Sequence, residues 1–198
     1  RLVIDEEHAL PAPPDEQRRI KTLLARYART TSDAGFYRVL DMARRIAGNG
    51  SLGVERYVLL VEGKGSPDSN YLLDLKLALP SALASQAKVR QPRWPCEAQR
   101  VVAVQRVMQA IAPARLAVIE DGARSYVLKE LQPAADRLDL NASHGHLSRL
   151  ESVISTMAEI TAWGQLRGCS RFGAAPVEVL QRWNARASWP NDLVRAAQ

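Results

Sequence analysis

Cysteine is nearly absent from this chain. Cys96 and Cys169 are the two among 198 residues, and their spacing fits no metal or redox motif. A reduced, cytoplasmic setting is therefore the expectation. Long apolar runs are missing as well. None approaches the ~20 residues of a membrane span, so no membrane partner is expected. The first fourteen residues hold acids, a histidine and several prolines, which excludes a secretory signal. Internal repeats and low-complexity segments are lacking, which excludes a solenoid.

What is present is enough apolar sequence, 46%, for one domain with a real core. The net charge is +6 and the pI about 9.7, which permits binding to phosphates or nucleic acid. The arginines are scattered, however, with pairs at Arg18-Arg19 and Arg44-Arg45 and acids nearby. Without a basic and aromatic stripe, nucleic acid is not an expected partner. The chain starts at Arg1, and Asp192 to Gln198 reads as a helix cut short, so a piece of a longer protein is expected.

The most informative stretch is Gly48-Asn49-Gly50-Ser51-Leu52-Gly53, a G-x-G-x-x-G. The run Val54 to Val61 behind it is β-branched and aromatic, hence a strand. Dinucleotide-binding glycines open a helix instead. Glycines between two extended segments suit the flexible flap that covers nucleotide phosphates in kinase-like proteins.

The remaining pattern is mixed. Ile20, Leu23, Leu24 and Tyr27 recur at helical spacing, with Asp15 as a candidate cap. Val39 to Ala43 fits helix or strand, and Arg44 to Ala47 enters the glycine loop as a strand. Tyr71 to Leu79 is a strand with Leu73, Leu75 and Leu77 on one face and Asp74 and Lys76 on the other. Cys96 to Ile111 is a helix, and Leu116 to Leu131 a hairpin around Asp121-Gly122. Ser143 to Leu166 is a long amphipathic helix stopped by Gly168, and Pro176 to Trp183 a shorter one. The expected fold is α+β: a kinase-like small lobe of about five antiparallel strands with an inserted helix, followed by helices. The boundaries read as an arm and helix over 1–35, the lobe over 36–133 and a helical segment over 134–198.

A triphosphate needs glycines that let backbone amides approach it, a lysine on the third strand, and an acid on the next helix to hold that lysine. Gly48, Gly50 and Gly53 supply the first, with Asn49 and Ser51 between them. Lys76 supplies the second, and Glu97 the third, with Gln105 two turns further on as a second candidate. Alone, each is ordinary: a hairpin turn, a solvated lysine, an acid at a helix start. Their order and strand context are what point to a nucleotide. Backbone groups of Glu130, Leu131 and Gln132, at the end of the last strand, would read the adenine; otherwise they are an edge strand and a loop. His144-Gly145-His146 is a weak metal motif, because rings at a helix start diverge. Cys169 has no evident base partner for nucleophilic work.

Four stretches also carry a resemblance: Val39 to Gly53, Gln99 to Gln109, Tyr126 to Pro133 and Trp163 to Gly168. In this order they resemble signatures of the bacterial domain-of-unknown-function family 2252, over roughly 33–173. The resemblance implies a distant likeness to protein kinases and ATP with magnesium as cofactor of a longer protein. It also implies a missing N-terminal half carrying a G-D-x-H-x-x-N-like catalytic loop and acidic metal ligands. Neither is found here: His144 is not preceded by Gly-Asp, and no D-F-G or D-F-D occurs. The functional expectation is the nucleotide-binding half of a kinase-like phosphotransferase, inactive alone. The alternatives are a non-catalytic, pseudokinase-like interaction module and, less favoured, a basic nucleic-acid-binding domain.

Overall fold

A computed structural model describes the chain except for residues 6, 48–52, 67, 87–89, 134, 135, 137, 139–145 and 198. The β-branched and leucine-rich runs form strands β1 (Ala9–Pro11), β2 (Val39–Arg45), β3 (Arg56–Val61), β4 (Tyr71–Leu77), β5 (Ala117–Asp121) and β6 (Arg124–Glu130). They make one antiparallel sheet in the order β1-β2-β3-β4-β6-β5. The architecture is mixed α+β, with six strands among the described residues where about five were expected. The addition is β1, a three-residue edge strand ending in Pro11. Three residues are too few to show a period of two, and an edge tolerates proline.

Five helices are described: α1 (Pro14–Ala28), α2 (Glu97–Met108), α3 (Leu147–Gly168), α4 (Val177–Asn184) and α5 (Trp189–Ala197). The cap of α1 differs from expectation. Pro13 takes the N-cap position, and Asp15 instead lies in the first turn, where its charge complements the helix dipole. A proline entry already fixes φ for the helix start, so no side-chain cap is needed.

The chain divides into two compact units: Arg1–Ala87, Trp94–Ala103 and Ala112–Leu138 form the first, and Lys88–Arg93, Val104–Ile111 and Asp139–Gln198 the second. In the first, α1 lays Ile20, Leu23, Leu24 and Ala28 on one sheet face, against Tyr57, Leu59, Val61, Leu73, Leu75 and Leu128. On the opposite face, Ala98 and Val102 of α2 pack with Leu116 and Val127. Ser125 Oγ accepts from the Ala98 amide at 3.1 Å and fixes where α2 starts. The β3–β4 hairpin needs Gly63, because a Cβ there would lie 2.2 Å from the Ser69 carbonyl oxygen and φ is +66°.

In the second unit, α3 runs from Leu147 to Gly168, and the expected stop residue is its last. Gly164 lies against Met108, whose carbonyl oxygen would be in ordinary contact, 3.5 Å, with a Cβ there. Leu147, Ile154 and Met157, which recur at helical spacing along α3, are more than half exposed. Among the described residues, no helix is long and apolar enough to cross a membrane.

Candidate functional site

The segment that follows Gly53 distinguishes the two readings of the glycine motif. Gly53 has φ of +76° and leads through a turn into β3, antiparallel to β2. Dinucleotide binding through a strand–turn–helix unit is thus excluded here. Gly48, Asn49, Gly50 and Ser51 lie outside the described residues, as does His144.

Strand alternation gives the sheet face opposite α1 three rows. Beside the glycine turn, Arg56 pairs with Lys76, and Lys76 with Val127. The next row is Ala43, Val58, Asp74 and Lys129 across four strands. The third is Asp41, Leu60 and Leu72, and the Leu131 amide donates to the Leu72 carbonyl at 3.0 Å. Leu60 lies four residues beyond Arg56, or ~14 Å at about 3.4 Å per residue. One end of this face is therefore cationic, and the other carries Leu60 and Leu72 beside the acid Asp41.

Asp74 organises the cationic end. Its side chain is 2% exposed. Arg56 grips it with two bonds, Nε to Oδ1 and Nη2 to Oδ2, both 2.8 Å. Arg45 Nη1 adds a third at 3.1 Å to Oδ1. Arg56 Nη1 also donates to the Ala47 carbonyl, tying the clamp to the end of β2. Sequence reading placed Asp74 on a polar face, but the arginines cover it. They come from other strands, and only the register shows that they meet.

Lys76 is partly buried beside this clamp. Burial, then the Arg56 charge, pushes its pKa below the usual lysine value; Asp74 opposes the shift and Lys129 adds to it. The expected pair of Lys76 with Glu97 is not formed. Glu97 Oε2 instead accepts from Arg100 Nε at 2.7 Å, one turn away on α2, while Arg100 Nη2 donates to the Leu79 carbonyl. Gln105 belongs to the second compact unit. Among the described residues, neither Lys76 nor Lys129 makes an ion pair.

At the expected adenine edge, two backbone donors are already used: the Glu130 amide donates to Ala114 O at 2.8 Å and the Leu131 amide to Leu72 O. Gln132 spends its side-chain Nε2 on the Asp136 carbonyl. The amino-terminal segment also lies at the end that carries Asp41 and Leu60. The Leu2 amide donates to Asp41 Oδ2 at 2.8 Å, and Leu2 and Leu131 pack on the cluster of Ala9, Ala43 and Val58.

The α1 face holds a second polar network that the sequence did not announce. Arg19 donates to Glu55 Oε2 at 2.7 Å, Asp121 Oδ2 at 2.9 Å and the Tyr126 hydroxyl at 2.8 Å. Tyr126 donates onward to Glu55, and Tyr57 to Glu16, which also holds Arg44. Every member is paired, so the network docks α1 rather than offering a reactive group. No group of three or more histidine, cysteine or acidic side chains suited to a metal occurs among the described residues.

The sheet with its charged face thus defines a mixed α+β protein with a candidate anion-binding surface. The profile of a bacterial family, DUF2252, described as "uncharacterized protein conserved in bacteria", matches residues 1–195, and the chain belongs to that family. The match extends the likeness beyond the 33–173 stretch that the motifs suggested. No curated protein and no solved structure matches the chain.

Proposed function

We propose that this chain is the nucleotide-binding half of a kinase-like phosphotransferase and transfers no phosphate alone. The observation that carries the reading is the graded sheet face. Lys76 and Arg56 stand at the end where β3 begins, and Leu60 and Leu72 lie ~14 Å away along the strands. A mononucleotide has this polarity, an apolar base at one end and an anionic tail at the other. The succession β2, β3, β4, α2, β5, β6 also fits five strands with a helix after the third, as a kinase-like lobe would have.

In this reading Lys76 meets the phosphates, and Gly48, Gly50 and Gly53 let backbone amides approach them. Glu97 drops out as the orienting acid, since Arg100 holds it. Magnesium ligands and a catalytic aspartate would come from a separate half. The residues here supply charge and a floor, not a base.

A different observation favours the interaction-module reading. Ile154, Met157, Ile160, Trp163 and Leu166 of α3 are each more than half exposed, as apolar docking surfaces are. Calorimetric titration with ATP and magnesium separates the two. The nucleotide reading expects weak binding and no phosphate transfer, with affinity about tenfold lower in Lys76→Ala and the fold retained. Absence of any nucleotide binding, or binding indifferent to Lys76→Ala, would replace it with the interaction module.

A further inference from the structure

Among the described residues, the charges at the end of the sheet where β3 begins do not balance. Arg56, Lys76 and Lys129 carry three positive charges, and Asp74 supplies one negative charge, leaving two in excess before Arg45 is counted. Arg56 is 15% exposed and spends its bonds on Asp74 and the Ala47 carbonyl. It is a fixed charge rather than a mobile one. Lys76 and Lys129 sit one row apart on neighbouring strands, on the same face and partly buried. Partly desolvated cations crowded beside a fixed guanidinium are unfavourable without a counter-charge. An anion of more than one charge restores the balance.

We infer that Lys76 and Lys129, backed by the Asp74-locked Arg56, form a cradle for a polyphosphate chain. This deepens the nucleotide reading, on which it rests for the identity of the ligand. It names Lys129 as a phosphate contact, a role that no glycine or lysine motif in the sequence assigns. Lys129 pairs across the β4–β6 ladder with Asp74, two residues from Lys76, so the two ammonium groups can bracket successive phosphates rather than share one. The same lock explains why an arginine occupies the third position. Two parallel bonds to one carboxylate fix a planar guanidinium, which an ammonium could not match.

The test uses the protein with three probes: inorganic tripolyphosphate, ATP and adenosine, titrated at low ionic strength. Tripolyphosphate is expected to bind saturably and to raise the melting temperature. Affinity should fall about tenfold in Lys129→Ala, vanish in Lys129→Glu, and weaken with added salt. Lys64→Ala, an exposed lysine in the β3–β4 hairpin, should leave it unchanged. If Lys129→Ala and Lys64→Ala behave alike, the cradle is wrong. If ATP binds but is insensitive to Lys129→Ala, the cradle fails while the nucleotide reading stands. If tripolyphosphate binds through Lys129 as tightly as ATP does, the cradle stands and the base-reading half of the nucleotide proposal falls.

Discussion

Asp74 is a buried carboxylate shared by two guanidiniums, and its removal would leave Arg45 and Arg56 without their common partner. Breaking one side of a buried ion pair costs more than the pair contributes, because a desolvated charge remains. Asp74→Asn is therefore expected to destabilise the fold by about 3–5 kcal/mol. Chemical denaturation would show this as a lower midpoint at constant slope. An effect within the range of a surface substitution would mean that the clamp is open to solvent. Part of this residue-level picture was legible beforehand. Alternation along Tyr71 to Leu77 correctly put Leu73 and Leu75 in the core and turned Asp74 and Lys76 the other way. The Arg56 partner could not be read, since it depends on the pairing of β3 with β4. Glu97 was misjudged for a related reason. Arg100, three residues on, competes for it locally, and a local partner costs less ordering than a distant one.

At the level of elements, α1 is held to the sheet in two ways. Its leucines fill the core, and Arg19 bridges Glu55, Asp121 and Tyr126 at one end. Arg19→Met keeps the apolar stem and removes the bridge. The expected loss is about 2–3 kcal/mol, below that for a fully buried pair, because Arg19 and its acids are about a quarter exposed. Hydrogen exchange should quicken in α1 before it does in β6, since the leucine contacts alone allow the helix to lift. Uniform quickening across both elements would show instead that α1 and the sheet open as one unit. The helices were legible from their 3.6-residue period and most strands from their composition. β1 was too short for any period, and the Arg19 network joins residues up to 107 positions apart. Such contacts are set by tertiary packing, not by local pattern.

For the whole molecule, the acids of the α1 face set the response to pH. Arg44, partly opposed by burial and helped by Tyr57, holds the Glu16 pKa below its ordinary 4.5. Burial pushes Glu55 up, but Tyr126, Arg19 and Arg124 together outweigh it and keep the pKa low. A carboxyl lowered in the folded state binds fewer protons there than in the unfolded chain. Its contribution is complete above about pH 4.5 and is lost as pH falls through the lowered value. Above neutrality the order reverses. Burial and Glu130 push Tyr71 up to about 12, and burial and Glu16 raise Tyr57. Tyrosines raised in the fold lose their contribution as pH rises past 10. Lys76 acts oppositely: with a lowered folded value, its cost at neutral pH is relieved as pH rises toward 10.5. Melting temperature against pH should therefore show a plateau through neutrality with a fall below about 4.5. In Arg19→Met the acid fall should be shallower, because Glu55 loses one of the partners that keep it ionised. Tripolyphosphate should lift the neutral plateau of the natural protein more than that of Lys76→Ala, whose affinity for the anion is lower. An acid limb unchanged by Arg19→Met would place the acid-sensitive groups elsewhere, and an equal lift in both proteins would remove Lys76 from the anion site.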